Sequence, residues 1–119
     1  MTRRANDDLP IFVQWTDFMK WLFSVTEKFP KRIRFTFSER IDNLALDIFE
    51  DLVEARYARD KAPILRRANL RLEKMRLLLR MCHELRHLPH AAFEHSARSL
   101  NETGRMLGGW IRQRGEASE

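Results

Sequence analysis

An all-α fold, arranged as an antiparallel up-down-up-down four-helix bundle, is predicted by three features of this sequence. Apolar residues recur at three- and four-residue intervals in four separate segments. Only four glycines and four prolines interrupt the 119 residues, and 33% of the chain is charged, a composition that suits helices and disfavours both strands and disorder. The gaps between segments are short, which favours antiparallel neighbours. A chain of this length buries a core without disulfides or a structural metal. Residues 10–113 are therefore assigned to one bundle domain, with flexible ends at 1–9 and 114–119.

The first segment, about Pro10 to Lys28, opens on a proline suited to a first helical turn. Ile11, Trp15, Phe18, Leu22, Val25 and Phe29 then alternate four and three residues apart, an aromatic core stripe. Pro30 ends it, because proline lacks a donor and pushes the preceding residue out of the α region. Thr36 and Glu39 open the second segment in capping-box spacing. Ile41, Ala45, Ile48, Leu52 and Ala55 form its core stripe. Leu46, Phe49, Val53 and Tyr57 form a second stripe, turned by about a quarter to a third of the circumference.

The third segment runs from Pro63 to about His87, with Leu65, Ala68, Leu72, Met75, Leu79 and Cys82 in heptad-like order. Leu70, Leu77, Met81, Leu85 and Leu88 point to nearly the opposite side. A monomeric bundle of this size has nothing to cover them, so they are assigned to a subunit or partner interface. The fourth segment starts near Pro89 and presents Phe93, Ala97, Leu100, Gly104, Leu107 and Ile111, with Gly108 and Gly109 punctuating its end.

The net charge of +5 is unevenly spread. Residues 61–90 carry eight Lys and Arg against two Glu, whereas residues 36–60 carry three basic against seven acidic. The excess therefore lies on the third helix, at Arg66, Arg67, Arg71, Lys74, Arg76 and Arg80 among others. One reading is a solvated surface that pairs with the acidic second helix. The other is a contact surface for nucleic acid or a polymerase, in which arginine forks grip phosphates and release counterions. No spacing suggests base-specific readout, so recognition would be of backbone or shape.

Residues 83–87, His-Glu-Leu-Arg-His, match the HExxH pattern of zinc hydrolases. The longer metalloprotease pattern fails, because His90 stands where glycine belongs and Phe93 where a third histidine belongs. The histidines also continue a polar stripe with Arg66, Asn69, Glu73, Arg76 and Arg80, so a dication would sit beside fixed positive charge. Glu84 and His87 form one Glu-x-x-His unit, but the second unit of a di-iron bundle is missing. The lone Cys82 reads as a buried thiol rather than a nucleophile. No enzyme, metal or cofactor is predicted. No apolar run approaches the ~20 residues of a membrane span, and the start is too acidic for a secretory signal, so a cytoplasmic protein is expected.

The stretch FPKRIRFTFSERIDNLALDIFEDLVEARYA, with RLEKMRLLLRMCHEL and the ending ETGRMLGGWIRQ, resembles the accessory variability determinant (Avd) family of diversity-generating retroelements. The likeness spans about Phe12 to Gln113. It rests on Phe29-Pro30-Lys31, on Arg40 at the start of the second helix, on the Leu-Arg run of the third, and on Gly104 with Gly108, Gly109 and Trp110. The four-helix proteins of ribosomal RNA intervening sequences share the Phe-Pro-Lys region and are the alternative. The Gly-Gly-Trp ending favours the retroelement branch. That resemblance implies a four-helix bundle assembled as a homopentamer that binds the reverse transcriptase and RNA or DNA. It would support mutagenic complementary-DNA synthesis without catalysing it. The motif positions themselves read as structural: Phe29 and Pro30 redirect the chain, the glycines permit close approach, and Trp110 anchors apolar packing.

Overall fold

The computed structural model describes residues 10–118. The flexible end expected at residues 1–9 lies outside the described residues. Four long helices follow in order: α1 Pro10–Thr26, α2 Glu39–Tyr57, α3 Ala62–Glu84 and α4 His90–Ser118. Between α1 and α2 the chain makes a 3-10 turn at Lys31–Ile33 and a π-helical turn at Arg34–Ser38. No strand occurs among the described residues.

Each helix packs on the next, and α4 returns onto α1 to close a ring of four. Contacts run in opposite directions along neighbouring helices. Phe12 lies 5.4 Å beneath the Arg56 guanidinium, while Thr26, at the other end of α1, bonds Asp42. Likewise Asp51 meets Arg71, Arg76 meets Leu100 and Asn101, and Gln14 meets Ser99 and Thr103. Adjacent helices are thus antiparallel.

The apolar periodicity builds the core directly. Ile41, Ala45, Ile48, Leu52 and Ala55 of α2 are all fully buried, as are Leu65, Ala68 and Met75 of α3. Trp15 is buried too, and its indole N–H donates to the Ala45 carbonyl at 3.0 Å. This bond satisfies a polar group that would be costly to bury unpaired. The buried face of α4 is more polar than its apolar spacing suggests. Ser96 and Thr103 lie inside with Leu100 and Leu107, their hydroxyls donating back to the Phe93 and Ser99 carbonyls.

Three boundaries differ from the sequence expectation. Thr36 does not cap α2: the helical turns begin at Lys31, and the Thr36 hydroxyl donates back to the Ile33 carbonyl at 3.3 Å. The α3 helix ends at Glu84, not His87, because Arg86 takes a positive φ of 67°. The amide of His87 then bonds the Cys82 carbonyl and that of Arg86 bonds the His83 carbonyl, a complete Schellman closure. Gly108 and Gly109 do not end α4, whose backbone continues helical to Ser118. The α2 terminus has a specific cause: Lys61 Nζ donates to the carbonyls of Ala55, Arg56 and Ala58, occupying acceptors a helix end leaves open.

Candidate functional site

The outward side of α3 carries an unusual run of exposed aliphatic residues. Leu70, Leu77, Met81 and Leu85 are each between 50% and 56% exposed, and their spacing places them on one face of the helix. Exposed Arg66 and Lys74 flank that stripe. Leu88, expected on the same face, is instead 2% exposed. The Arg86 turn carries the chain off the helix axis and folds Leu88 into the core. A second apolar patch lies across α1 and α2, where Val13, Val53 and Tyr57 are exposed around a groove of about 300 Å³ floored by Phe12 and Phe49.

The six candidate cations of α3 separate into two groups. Arg71 Nη1 lies 2.7 Å from both oxygens of Asp51, and Arg67 Nε donates to the same carboxylate at 3.0 Å. Arg67 also pairs with Glu54 at 2.8 Å. Hydrogen bonds to Asp51 and then to Glu54 hold the Arg67 guanidinium above its usual range. Arg76 lies across α4, donating to Asn101 and to the Leu100 carbonyl, with Glu73 at 3.6 Å. These three arginines join helices. Arg66, Lys74 and Arg80 are exposed and have no ion pair among the described residues.

The family-motif residues have distinct surroundings. Phe29 is buried, whereas Lys31 and Arg40 are exposed. Gly104 is where Arg76 crosses: a Cβ there would stand 2.8 Å from Arg76 Nη2. Around Gly108 and Gly109 the nearest neighbour of an added Cβ is the Arg112 side chain, at ordinary contact distance. Trp110 is half-buried and lines an open cleft with Pro10, Ile11 and Met106.

The HExxH residues do not converge. His83 lies in the last turn of α3, stacks on Phe93 at 4.5 Å and meets the Leu88 carbonyl through Nδ1 at 3.1 Å. His87 lies beyond the helix in the Schellman turn, with its ring 6.5 Å from Phe37. The one-turn spacing that a metal pair needs is therefore lost. Among the described residues no group of three His, Cys, Asp or Glu is placed to hold a metal ion. Burial pushes the Cys82 thiol up to about 11, so little thiolate forms at neutral pH. No helix among the described residues is long and apolar enough to cross a membrane.

Two features had escaped the sequence reading. One is the burial of Asp51, which neutralises two of the most prominent arginines. The other is Phe35, held 74% exposed in the π-helical turn. Its signal was the cluster of cations around it, Lys31, Arg32, Arg34 and Arg40.

These features define a small basic four-helix bundle whose distinguishing chemistry lies on its outer surface. The chain belongs to the bAvd-like family, whose profile matches residues 11–114. Comparison with curated proteins gives no match.

Proposed function

We propose that this chain is a non-catalytic accessory subunit of a diversity-generating retroelement. In this reading it assembles as a cytoplasmic homopentamer and binds the reverse transcriptase together with template RNA and complementary DNA, supporting mutagenic retrohoming. The observation that carries the reading is the bAvd-like match across residues 11–114, nearly the whole bundle. That family is one of accessory proteins, not of enzymes.

The surfaces suit the role. An aliphatic stripe rimmed by Arg66 and Lys74 has the composition of a protein interface, apolar at its centre and charged at its edge. Unpaired surface cations supply the sequence-independent attraction on which phosphate binding depends. The stripe is thus assigned to a sister subunit or the polymerase, and the unpaired cations to nucleic acid.

Co-expression with the reverse transcriptase of the same locus tests this reading. The wild-type chain is expected to co-purify with the polymerase and to sediment as an oligomer. Leu77→Glu with Met81→Glu is expected to break one of those two associations while preserving helicity. A wild-type chain that sediments as a monomer and leaves the polymerase unbound overturns the proposal.

A further inference from the structure

We propose that the α1–α2 connection is a binding site for single-stranded nucleic acid, with Phe35 as the platform for one unstacked base and Lys31, Arg32, Arg34 and Arg40 as contacts for the adjoining phosphates. The site rests on the nucleic-acid role proposed above and centres it on the α1–α2 connection, with Lys74 of α3 at its edge.

The local fold explains why an aromatic ring stands in water here. Phe29, Ile33 and Ser38 are 7%, 6% and 9% exposed and pin the connection to the bundle at three points. Between the last two anchors the backbone widens into the π-helical turn, a rare form that is frequent at functional sites. That turn leaves Phe35 at 74% exposure. The ring contributes little to the core, yet its backbone is held at both ends. A platform fixed in this way loses little conformational freedom when a base stacks on it.

The charge around it is available. Lys31, Arg32, Arg34 and Arg40 are exposed, and no hydrogen bond or ion pair among the described residues engages their side chains. Arg67, Arg71 and Arg76, by contrast, are tied to neighbouring helices. Four unpaired cations thus lie close in sequence to a largely exposed ring, whereas half of the six α3 cations are tied into the fold.

An open cleft of about 440 Å³ runs beside Phe35, lined also by Arg40, Asn43, Leu44, Lys74 and Leu78. Glu39 and Asp47 also line the cleft. These carboxylates repel phosphate from the interior and favour a neutral base there, with the backbone along the cationic rim. The Asn43 amide has both a donor and an acceptor to offer a base edge. Stacking on a side chain requires a base freed from its neighbours, which a single strand supplies and a continuous duplex does not. A protein interface is the poorer fit, because interface centres are depleted of charge and the cleft beside Phe35 is lined by Glu39, Arg40, Asp47 and Lys74.

Fluorescence anisotropy with a labelled single-stranded RNA and the same sequence as a duplex tests the site on the full chain. The single strand is expected to bind more tightly. Phe35→Ala should weaken single-strand binding about tenfold, and Phe35→Trp should retain it. Arg32→Ala with Arg34→Ala should flatten the logarithmic salt dependence by about 0.7 for each phosphate no longer neutralised.

Sedimentation of the same variants separates the alternatives. Loss of binding with unchanged assembly supports the site. A smaller assembly in Phe35→Ala overturns it, since the ring then belongs to a protein contact. Wild-type affinity in Phe35→Ala, with binding abolished by Arg66→Glu and Arg80→Glu, overturns the site and leaves the nucleic-acid role standing. A wild-type chain that binds neither strand nor duplex at low salt overturns both.

Discussion

Asp51 and Arg71 are joined across the α2–α3 seam, with one guanidinium nitrogen 2.7 Å from both carboxylate oxygens of a side chain only 3% exposed. Arg67 holds the same carboxylate from its more open side. Replacing either arginine with methionine alone should cost about 1 kcal/mol, because the other keeps the buried charge paired. Replacing both should cost about 3–5 kcal/mol, because Asp51 is then buried without a partner. Denaturant midpoints of the two single variants and the double variant check this. Strict additivity would show that the arginines act independently. The singles should leave the salt dependence of any RNA binding unchanged, because these charges are already satisfied within the fold.

Arg86 supplies the left-handed residue of the turn that ends α3, with φ at 67°. Glycine adopts that conformation without the Cβ clash that penalises other residues. Arg86→Gly is therefore expected to stabilise the protein by about 1 kcal/mol, seen as a raised thermal midpoint. Loss of a cation near the helix C-terminus offsets this by about 0.3 kcal/mol. A lowered midpoint would show that the Arg86 side chain contributes more than its backbone strain removes.

The same turn marks where sequence reasoning reached its limit. The stripe from Ile41 to Ala55 was legible because burial repeats with the helical period, and the outward set Leu70, Leu77, Met81 and Leu85 was legible for the same reason. Leu88 was misplaced because its position depends on the conformation of an arginine, where no glycine signals a left-handed turn. The Thr36–Glu39 spacing matched a capping box, yet the turns before it were already helical, so no free helix start existed to cap. Asp51 could be counted as acidic, but not seen as buried, because the pairing depends on the rotation of two helices about their axes. That rotation also decided which arginines stayed free. Ser96 and Thr103 were invisible as core residues because their hydroxyls are satisfied by their own helix.

Gly104 and Arg76 form a paired fit: the absent Cβ leaves room for the guanidinium, which would otherwise meet it at 2.8 Å. Gly104→Ala gains about 1 kcal/mol of helix propensity. It also displaces Arg76 from its acceptors on α4, at a cost of about 1 kcal/mol. The single change should be close to neutral. In an Arg76→Ala background the same substitution should stabilise by about 1 kcal/mol, since the obstruction is gone. Thermal midpoints of the four proteins decide it. A gain of equal size in both backgrounds would mean that Arg76 moves aside freely.

Asp42 sets a pH dependence whose sign follows from its surroundings. Burial raises its pKa above 3.8, and the Thr26 hydroxyl, donating at 2.8 Å, acts in the opposite direction without cancelling the rise. The folded chain therefore holds this proton to higher pH than the unfolded chain. Between the two values the native state binds more protons, so this group's contribution to stability falls as pH rises through that window and is constant above it. Asp42→Asn keeps an oxygen to accept from Thr26 and removes the charge that burial disfavours. The variant should exceed wild type in stability at neutral pH, with the difference shrinking on acidification and vanishing below 3.8, where the carboxyl is protonated in both states. Urea midpoints across that range provide the check. If Asp42→Asn instead lowers stability at neutral pH, the charged hydrogen bond to Thr26 outweighs the desolvation of the carboxylate.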